Sequence, residues 1–225
     1  PLHVRDIVSD IFTRAHHVMH PEFFDFKSIN DYQEKIANGK VILQPQERKK
    51  IIVQEGKRLA EAKGFYLVED DKLLEEMVGL TEFPIPLLGK IPEELLSIPE
   101  EVIITSMREH QKFLSLRSSA NGKVEGFLLI TDLETHDQQK TILSGNMRVL
   151  NSRLKDAIFF YQNDLDLVKN HGMIAWNDKL KSVRFHEKLG SQYNRVERIV
   201  KIALMLARQF ELEKDEVCLL YTSPS

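Results

Sequence analysis

The sequence has almost no cysteine and no long hydrophobic run. Cys218 is the single cysteine among 225 residues, which excludes an intramolecular disulfide and fits a reducing cytoplasm. No apolar stretch approaches the roughly 18 residues that a membrane-spanning helix requires. Because 42% of the residues are hydrophobic, the chain can bury a core. We therefore expect a soluble cytoplasmic protein of one or two domains, without a membrane partner.

Local enzyme signatures are missing as well. The sequence has no G-x-x-x-x-G-K-[ST] or G-x-G-x-x-G phosphate loop, no G-x-S-x-G turn and no H-E-x-x-H metal motif. A catalytic site would have to be assembled from residues that are distant in sequence. We predict that this chain contains no catalytic residue, no metal site and no bound cofactor.

Two histidine-containing segments have residues that could bind a metal ion. His136-Asp137 is the dipeptide that HD-type phosphohydrolases use to bind a metal, but here it follows a predicted strand and lies in a turn. Asp137 is therefore interpreted as a cap of the next helix. His16, His17 and His20 could ligate a transition metal, yet no cysteine or carboxylate completes a ligand set nearby. A structural or RNA-facing histidine is the favoured interpretation of His16.

The two ends of the sequence are unusual. The chain begins with Pro1 instead of Met, so we expect an internal fragment of a longer protein. Residues 218–225, CLLYTSPS, lack helical polar and apolar spacing, and we interpret them as a non-native tail. The alternative is a frayed natural terminus.

Charge is distributed unevenly. Residues 1–100 contain 13 Lys and Arg against 18 Asp and Glu, whereas residues 101–201 contain 16 against 12. Such asymmetry allows one surface to meet phosphate groups while another meets a protein or solvent. By itself it is weak evidence for nucleic-acid binding.

The local patterns predict mixed α and β structure. Ser28 with Asp31 resembles a capping box at the start of a helix that Gly39 closes, and Pro45 starts a helix that extends to Gly64. Residues 84–91 read as an edge strand interrupted by prolines. Two strands flank the hairpin signal Asn121-Gly122, and the second contains the apolar run 127–130, expected to be covered on both faces.

Helices are predicted from Asp137 onward. Two apolar stripes recur at three- and four-residue spacing, and we expect both to be buried. The first stripe consists of Met147, Leu150, Leu154, Ile158, Tyr161 and Leu165. The second consists of Val196, Ile199, Val200, Ala203, Leu206, Ala207 and Phe210. A soft domain boundary is placed at residues 170–178.

Three basic clusters are candidates for phosphate contacts, and for each the alternative is a solvated surface. Arg108, His110 and Lys112 lie where a helix gives way to a strand. Arg148, Arg153 and Lys155 lie on the first long helix, with Arg148 and Lys155 on one face and Asn151 between them. The densest cluster consists of Lys179, Lys181, Arg184, Lys188, Arg195, Arg198 and Lys201.

The densest cluster has a predicted geometry. Lys181, Arg184 and Lys188 are spaced to share a helical face, and Gly190 permits a turn before Arg198 and Lys201. Two cationic faces joined by a turn suit a sugar-phosphate backbone better than base edges. Tyr193 could stack on a base, although such a tyrosine is more often a packing residue.

Three segments, residues 79–112, 144–165 and 180–199, resemble the β subunits of the bacterial two-subunit glycyl-tRNA synthetase, in the same order. The resemblance runs from about Thr13 to Phe210. It implies an α+β fold in which residues 1–172 form a B3/B4-like mixed α/β domain and residues 173–217 begin an all-helical HD-like domain. His16 matches the family's Gly-His-Arg-Phe, which is Ala15-His16-His17-Val18 here, while Asn151 and Ile158 replace arginines that the family often has.

The resemblance also implies a function. In that family the α subunit carries the adenylate-forming site, which uses ATP and Mg²⁺, and the β subunit binds tRNA. We therefore expect a noncatalytic part of glycine-tRNA ligase, an aminoacyl-tRNA synthetase of α and β subunits, with tRNA(Gly) and the α subunit as partners. The alternatives are a hydrolytic editing or HD-type phosphohydrolase module, and a purely structural scaffold that binds the α subunit through the acidic half. The tRNA-binding candidates are Arg108, His110, Lys112, Arg148, Arg153, Lys181, Arg184, Lys188, Arg195 and Arg198.

Overall fold

A four-stranded antiparallel sheet organises the first of two units into which the chain divides, Pro1–Ile158 and Phe159–Ser225. The computed structural model describes residues 3–4, 7–8 and 12–210. The predicted tail at residues 218–225, with Cys218, lies outside the described residues. No helix in the described part of the chain is both long and apolar enough to span a bilayer.

The first unit mixes short strands with helices. In chain order its elements are β1 (His3–Val4), β2 (Ile7–Val8), β3 (Phe12–Thr13), β4 (Phe24–Asp25), α1 (Ile29–Asn38), α2 (Pro45–Glu61), β5 (Phe65–Leu67), α3 (Asp71–Leu80), β6 (Ile85–Lys90), α4 (Glu100–Thr105), β7 (Leu114–Ser118), β8 (Val124–Thr131) and the start of α5 (Lys140–Asp178). Strands β1 and β2 pair with each other, as do β3 and β4, while the main sheet has the order β5-β7-β8-β6. The mixed α and β prediction is confirmed.

The helix starts follow the sequence signals. Ser28 Oγ accepts a hydrogen bond from Asp31 N at 3.2 Å, and the Asp31 carboxylate accepts one from Lys27 N at 2.8 Å. These reciprocal bonds satisfy backbone donors that a helix end leaves free. The bond from Lys27 N holds the pKa of Asp31 below its usual value, because it stabilises the ionised carboxylate. Pro45 occupies the first position of α2, as predicted.

The predicted strands are largely correct. β7 and β8 pair antiparallel across the turn at Asn121-Gly122, and β6 is an edge strand that contains Pro86. In the run 127–130, the first three residues are buried and Ile130 is half-buried. The sequence patterns did not predict β5 or α3, nor that α4 continues as a π-helix over Ser106–Gln111.

The core of the first unit lies between the sheet and the helices. α2 and α3 pack side chains against β5, β7 and β8. Phe127, which is fully buried, stacks on Phe113 with ring centroids 4.8 Å apart. The main cluster consists of Ile52, Ala60, Phe65, Leu73, Leu74, Met77, Val78, Leu114, Leu116 and Leu128.

The second unit is built from helices and one small hairpin. It contains the rest of α5, a 3₁₀ turn at Lys179–Lys181, β9 (Arg184–His186), β10 (Gly190–Ser191) and α6 (Gln192–Gln209). Gly172, with φ 78° and ψ 171°, interrupts α5. The predicted domain boundary at 172/173 coincides with this interruption, whereas the units divide between residues 158 and 159. The domain assignment stays a prediction.

The two predicted apolar stripes differ in burial. In the first, Leu150 and Leu154 are fully buried while Leu165 is exposed. In the second, Ala207 is buried, and Ile199, Leu206 and Phe210 are exposed. The expectation that both stripes are buried is therefore wrong at Leu165 of the first stripe and at Ile199, Leu206 and Phe210 of the second. The spacing identified the apolar face of α6 correctly, but it contained no information about what covers that face.

Candidate nucleic-acid interface

Five basic residues lie on the β9–β10 hairpin and the segments that flank it. We call Lys181, Arg184, Lys188, Arg195 and Arg198 the basic hairpin patch. β9 pairs antiparallel with β10, with Arg184 opposite Ser191 and His186 opposite Gly190. The patch therefore combines a 3₁₀ turn, a hairpin and the first turns of a helix.

Ser191 joins the hairpin rigidly to α6. It ends β10 and also caps the helix, because its Oγ accepts a hydrogen bond from Asn194 N at 3.3 Å while Asn194 Oδ1 accepts one from Ser191 N at 3.1 Å. This is a capping box with asparagine as the returning residue. Gly190 has φ 84°, and a Cβ there would lie 2.5 Å from Asn194 Oδ1, so the junction requires glycine.

The predicted shared helical face of Lys181, Arg184 and Lys188 is wrong. Lys181 lies in the 3₁₀ turn, Arg184 lies in β9 and Lys188 lies in the hairpin turn. Basic and apolar residues alternate in this segment with the period of a strand, and Gly190 then reverses the chain. That alternation was the signal in the sequence for a hairpin.

The cations of the patch have different neighbours. Lys181 Nζ lies 2.7 Å from Asp178 Oδ1, and this hydrogen bond raises the pKa of Lys181 above its usual value. Arg195 lies over the ring of Phe185 at 4.9 Å, and Arg198 donates to the carbonyl of Leu189 at 3.0 Å. Arg184 and Lys188 are exposed and form no ion pair with the residues that the structure describes. These two, with Arg198, retain charge for an external anion.

The ring of Tyr193 is covered by a cation of the basic hairpin patch. Lys181 Nζ lies 4.9 Å from the centroid of its ring, and the tyrosine is half-buried. The geometry supports the packing role of Tyr193 over an open stacking platform. The exposed groups of the patch are therefore mainly cations, and the Tyr193 ring is not an open stacking surface.

The first predicted cluster is largely neutralised by α3. Arg108 Nε lies 3.1 Å from Asp70 Oδ2, and Lys112 Nζ lies 3.0 Å from Glu76 Oε1. His110 is exposed at the end of the π-helix. Arg108 and Lys112 would have to leave these carboxylates, or share them, to contact a phosphate.

The α5 cluster is more open. Arg148, Arg153 and Lys155 are exposed on the helix surface, within the first unit. Asn151, which we expected on the same open face, is half-buried, and its Oδ1 has no hydrogen-bond partner among the described residues. The face between Arg148 and Lys155 is therefore not uniformly exposed.

His16 bridges three segments of the first unit. Its ring is fully buried, with Nε2 3.1 Å from Asp132 Oδ2, and Nδ1 accepts hydrogen bonds from the backbone N–H groups of Val18 and Met19. Asp132 Oδ1 in turn accepts from the N–H groups of Glu82 and Phe83. Because Nδ1 is an acceptor, the proton of a neutral ring lies on Nε2 and points to Asp132.

The same geometry argues against a metal at the histidines. Ligand atoms of His16, His17 and Glu82 lie within 4.8 Å of one another. However, the lone pair of His16 Nδ1 is used by two backbone donors and Nε2 is directed at Asp132, so neither nitrogen is available. We favoured a structural or RNA-facing His16 over a metal ligand, and its burial and hydrogen bonds support the structural role.

The carboxylate of Asp137 caps α5. It accepts hydrogen bonds from Thr135 Oγ1 and from Thr141 N, the latter at 2.8 Å. These bonds favour the ionised form and lower the pKa of Asp137 to about 2. The capping interpretation is confirmed.

The first unit contains a cavity of about 400 Å³ with both apolar and polar walls. Its walls include Met77, Phe113 and Leu129, with Lys112 and Asp132 among its polar residues. Lys112 is paired with Glu76, and both carboxylate oxygens of Asp132 accept hydrogen bonds. Both oxygens of the Asp132 carboxylate are thus engaged in contacts within the first unit.

The comparisons with known proteins agree with one another. The family described as "Glycyl-tRNA synthetase beta subunit" matches residues 1–222. The chain is 43% identical to the glycine--tRNA ligase beta subunit of Paracoccus denitrificans over 216 residues, 96% of this chain and 31% of that relative. The corresponding protein of Dinoroseobacter shibae is 42% identical (96% and 30%), and that of Listeria monocytogenes is 33% identical (96% and 30%). The chain spans about a third of the length of these relatives.

Proposed function

The chain belongs to the glycyl-tRNA synthetase beta-subunit family, and from this membership we propose that it supports ATP-dependent attachment of glycine to tRNA. In this proposal the chain binds tRNA(Gly) and the α subunit as part of a cytoplasmic hetero-oligomer. The adenylate-forming site, with ATP and Mg²⁺, lies on the α subunit. The chain itself is noncatalytic.

In this proposal residues 1–172 form the B3/B4-like domain and residues 173–217 begin the HD-like domain. The antiparallel sheet covered by α2 and α3 supports an α+β first unit. The predominance of α5 and α6 supports the second assignment. HD-type chemistry is not part of the proposal, because Asp137 serves as a helix cap.

The observation that carries the proposal is the exposed charge of the basic hairpin patch. Arg184 and Lys188 project from a hairpin that a capping box fixes to α6, and neither forms an ion pair within the described residues. A cation without a protein partner can neutralise a phosphate and release its counterion without first breaking an ion pair. Rigid placement also reduces the entropy lost on binding.

The other predicted phosphate contacts are less available to a phosphate than the exposed cations of the basic hairpin patch. Arg108 and Lys112 are paired with carboxylates of the first unit. Arg148 and Arg153 are exposed on α5, but Asn151 and Ile158 stand where arginines would extend the basic surface. We therefore place the main phosphate contacts at Arg184, Lys188 and Arg198.

The test is tRNA binding by the full-length β subunit with Arg184→Ala and Lys188→Ala, measured over a range of salt concentrations. Each lost phosphate contact is expected to lower the slope of log K against log salt by roughly one unit. Lys50→Ala is the matched control, because Lys50 is an exposed lysine of α2 without an ion pair among the described residues. An unchanged slope in the double variant, with folding confirmed by circular dichroism, would refute the assignment.

A further inference from the structure

His186 lies between two exposed cations of the basic hairpin patch, two residues from each. Arg184 and His186 belong to β9, and Lys188 lies in the turn to β10. All three side chains are exposed. His186 is not among the basic residues predicted from the sequence, because a neutral histidine adds no charge to a cluster.

The side chains of β9 are divided between two faces of the strand. Phe185 faces α6, because Arg195 of that helix lies over its ring at 4.9 Å. Since side chains alternate along a strand, Arg184 and His186 lie on the opposite face, away from α6. A molecule that binds at this face meets the guanidinium and the imidazole together.

A hydrogen bond from the backbone determines the tautomer of His186. Its Nδ1 lies 3.2 Å from Lys188 N and accepts from that N–H group. The carbonyl of His186 also accepts from Leu189 N at 3.1 Å, so the ring is held against a turn that two hydrogen bonds close. In the neutral ring the proton therefore lies on Nε2. This Nε2–H group has no acceptor among the residues that the structure describes, and it can donate to a bound molecule.

A neutral donor between two cations matches the chemistry of an RNA strand. Phosphates alternate with sugars along such a strand, and Lys and Arg neutralise the phosphates. The group between two neighbouring phosphates is a ribose, whose 2′-hydroxyl can accept a hydrogen bond. Deoxyribose lacks this hydroxyl. The neutral N–H group can therefore distinguish RNA from DNA, whereas the two cations contact either backbone.

We propose that His186 Nε2–H donates to a ribose 2′-hydroxyl while Arg184 and Lys188 contact the phosphates on either side of that ribose. This role rests on the proposed function, because it requires that the basic hairpin patch bind tRNA. His186 makes the patch selective for RNA, and the two cations supply affinity for a phosphate backbone of either kind.

Two substitutions separate the donor of the ring from its acceptor. His186→Asn keeps an acceptor near the position of Nδ1, where Lys188 N can still donate, but it has no donor at the position of Nε2. His186→Gln places an amide nitrogen near the position of Nε2 and keeps that donor. His136→Asn is the matched control, because His136 is an exposed histidine of the first unit.

The full-length β subunit is titrated with a tRNA(Gly) transcript and with a deoxyribose oligonucleotide of the same sequence. Binding is measured at pH 8.5, above the range in which histidine usually titrates. The measured quantities are the ratio of the two dissociation constants and the slope of log K against log salt for each probe. Each variant is compared with the unsubstituted protein, so that other differences between the two probes cancel.

His186→Asn is expected to weaken RNA binding roughly two- to tenfold, as the loss of one neutral hydrogen bond does, with DNA binding and both salt slopes unchanged. His186→Gln should retain most of the RNA preference, and His136→Asn should retain all of it. An RNA preference that is unchanged in His186→Asn, or lost equally in His186→Gln, would overturn the proposal. A salt slope lowered by about one unit would show a phosphate contact at His186 and would overturn it as well.

Arg184→Ala in the same titrations tests the proposed function separately. If it lowers the salt slope while His186→Asn leaves the RNA preference unchanged, the patch binds the phosphate backbone and only the role of His186 is refuted. If Arg184→Ala and Lys188→Ala both leave the slope unchanged, tRNA binding at the patch is refuted, and the role of His186 with it.

Discussion

The two units of this chain differ in how many of their apolar side chains are buried, among the residues that the structure describes. The first unit contains all the fully buried hydrophobic residues of the described chain except Ala207. The second unit leaves large apolar side chains such as Phe160 and Met205 exposed. Among the residues whose burial the structure describes, the first unit therefore has an extensive core, whereas the second has one buried apolar side chain.

The cations near α3 differ from two cations of the basic hairpin patch, although Lys50 of the first unit has no ion pair among the described residues and Lys181 of the patch has one. In the first unit, acidic residues at α3 neutralise neighbouring basic residues, with Lys49 on Glu75, Arg108 on Asp70 and Lys112 on Glu76. In the second unit, Arg184 and Lys188 have no carboxylate partner among the described residues. The difference shows that a high count of basic residues does not locate an anion-binding surface until the ion pairs are known.

The largest effect is expected from the core of the first unit. Phe127→Ala removes a fully buried ring stacked on Phe113 and should lower the free energy of unfolding by about 3–5 kcal/mol. Phe160→Ala, an equal truncation at a residue 65% exposed, should change it by less than about 0.5 kcal/mol. Urea unfolding of this chain measures both. If both variants lost a similar amount of unfolding free energy, the proposed difference in burial between the two units would be contradicted.

The next effect concerns the contact between His16 and Asp132. In Asp132→Asn the amide can still accept from Glu82 N and Phe83 N, but its NH₂ group then faces the Nε2 proton of His16. The ring cannot switch tautomer without losing two backbone bonds at Nδ1. We expect a loss of about 1–3 kcal/mol in unfolding free energy. The control is Glu134→Gln at an exposed neighbour, and equal stability of both variants would contradict the tautomer assignment.

A smaller effect is expected at the paired cations. Arg108→Ala removes a partly exposed ion pair with Asp70, which should cost about 0.2–1 kcal/mol of stability. The salt slope of tRNA binding by the full-length subunit should stay unchanged, whereas Arg184→Ala should reduce it. A slope lowered by roughly one unit in Arg108→Ala would place a phosphate contact in the first unit after all.

The smallest effect is a pH dependence at the start of α5. The folded pKa of Asp137 is about 2, below its ordinary value of 3.8, so its ionised form stabilises the fold above pH 3.8. This contribution is lost as pH falls from about 4 toward 2. Asp137→Asn should lower the unfolding midpoint at pH 7 and reduce its change between pH 4 and 2. An unaltered acid profile would show that Asp137 does not couple protonation to folding.

Local signals allowed much of the fold to be predicted from the sequence. Ser28, Pro45 and Asn121-Gly122 each determine backbone geometry within a few residues, and the structure confirms all three. Strand β5 was missed because it has only three residues, and helix α3 was missed because its cap at Asp70, which accepts from Leu73 N, was not recognised in the sequence; both pack against the same core. Such long-range packing leaves little periodic signal in ten or fewer residues.

The site was harder to predict than the fold. Lys181, Arg184 and Lys188 were identified as a cationic group, but helical spacing was assumed where alternation with Phe185 indicated a strand. The pairing of Arg108 with Asp70 could not be foreseen, because 38 positions separate the two residues in sequence and only the fold brings them together. For the same reason, the partners of His16 became visible only in three dimensions.

Hydrogen exchange tests the difference between the two units most directly. Backbone amides of β8 and α6 are compared in this 225-residue chain and in the full-length β subunit, because exchange reports the local free energy of opening. We expect β8 to be protected in both proteins, and α6 to be protected in the full-length subunit but to exchange much faster in the shorter chain. Equal protection of α6 in both proteins would show that the second unit is stable without further protein, and would contradict the account.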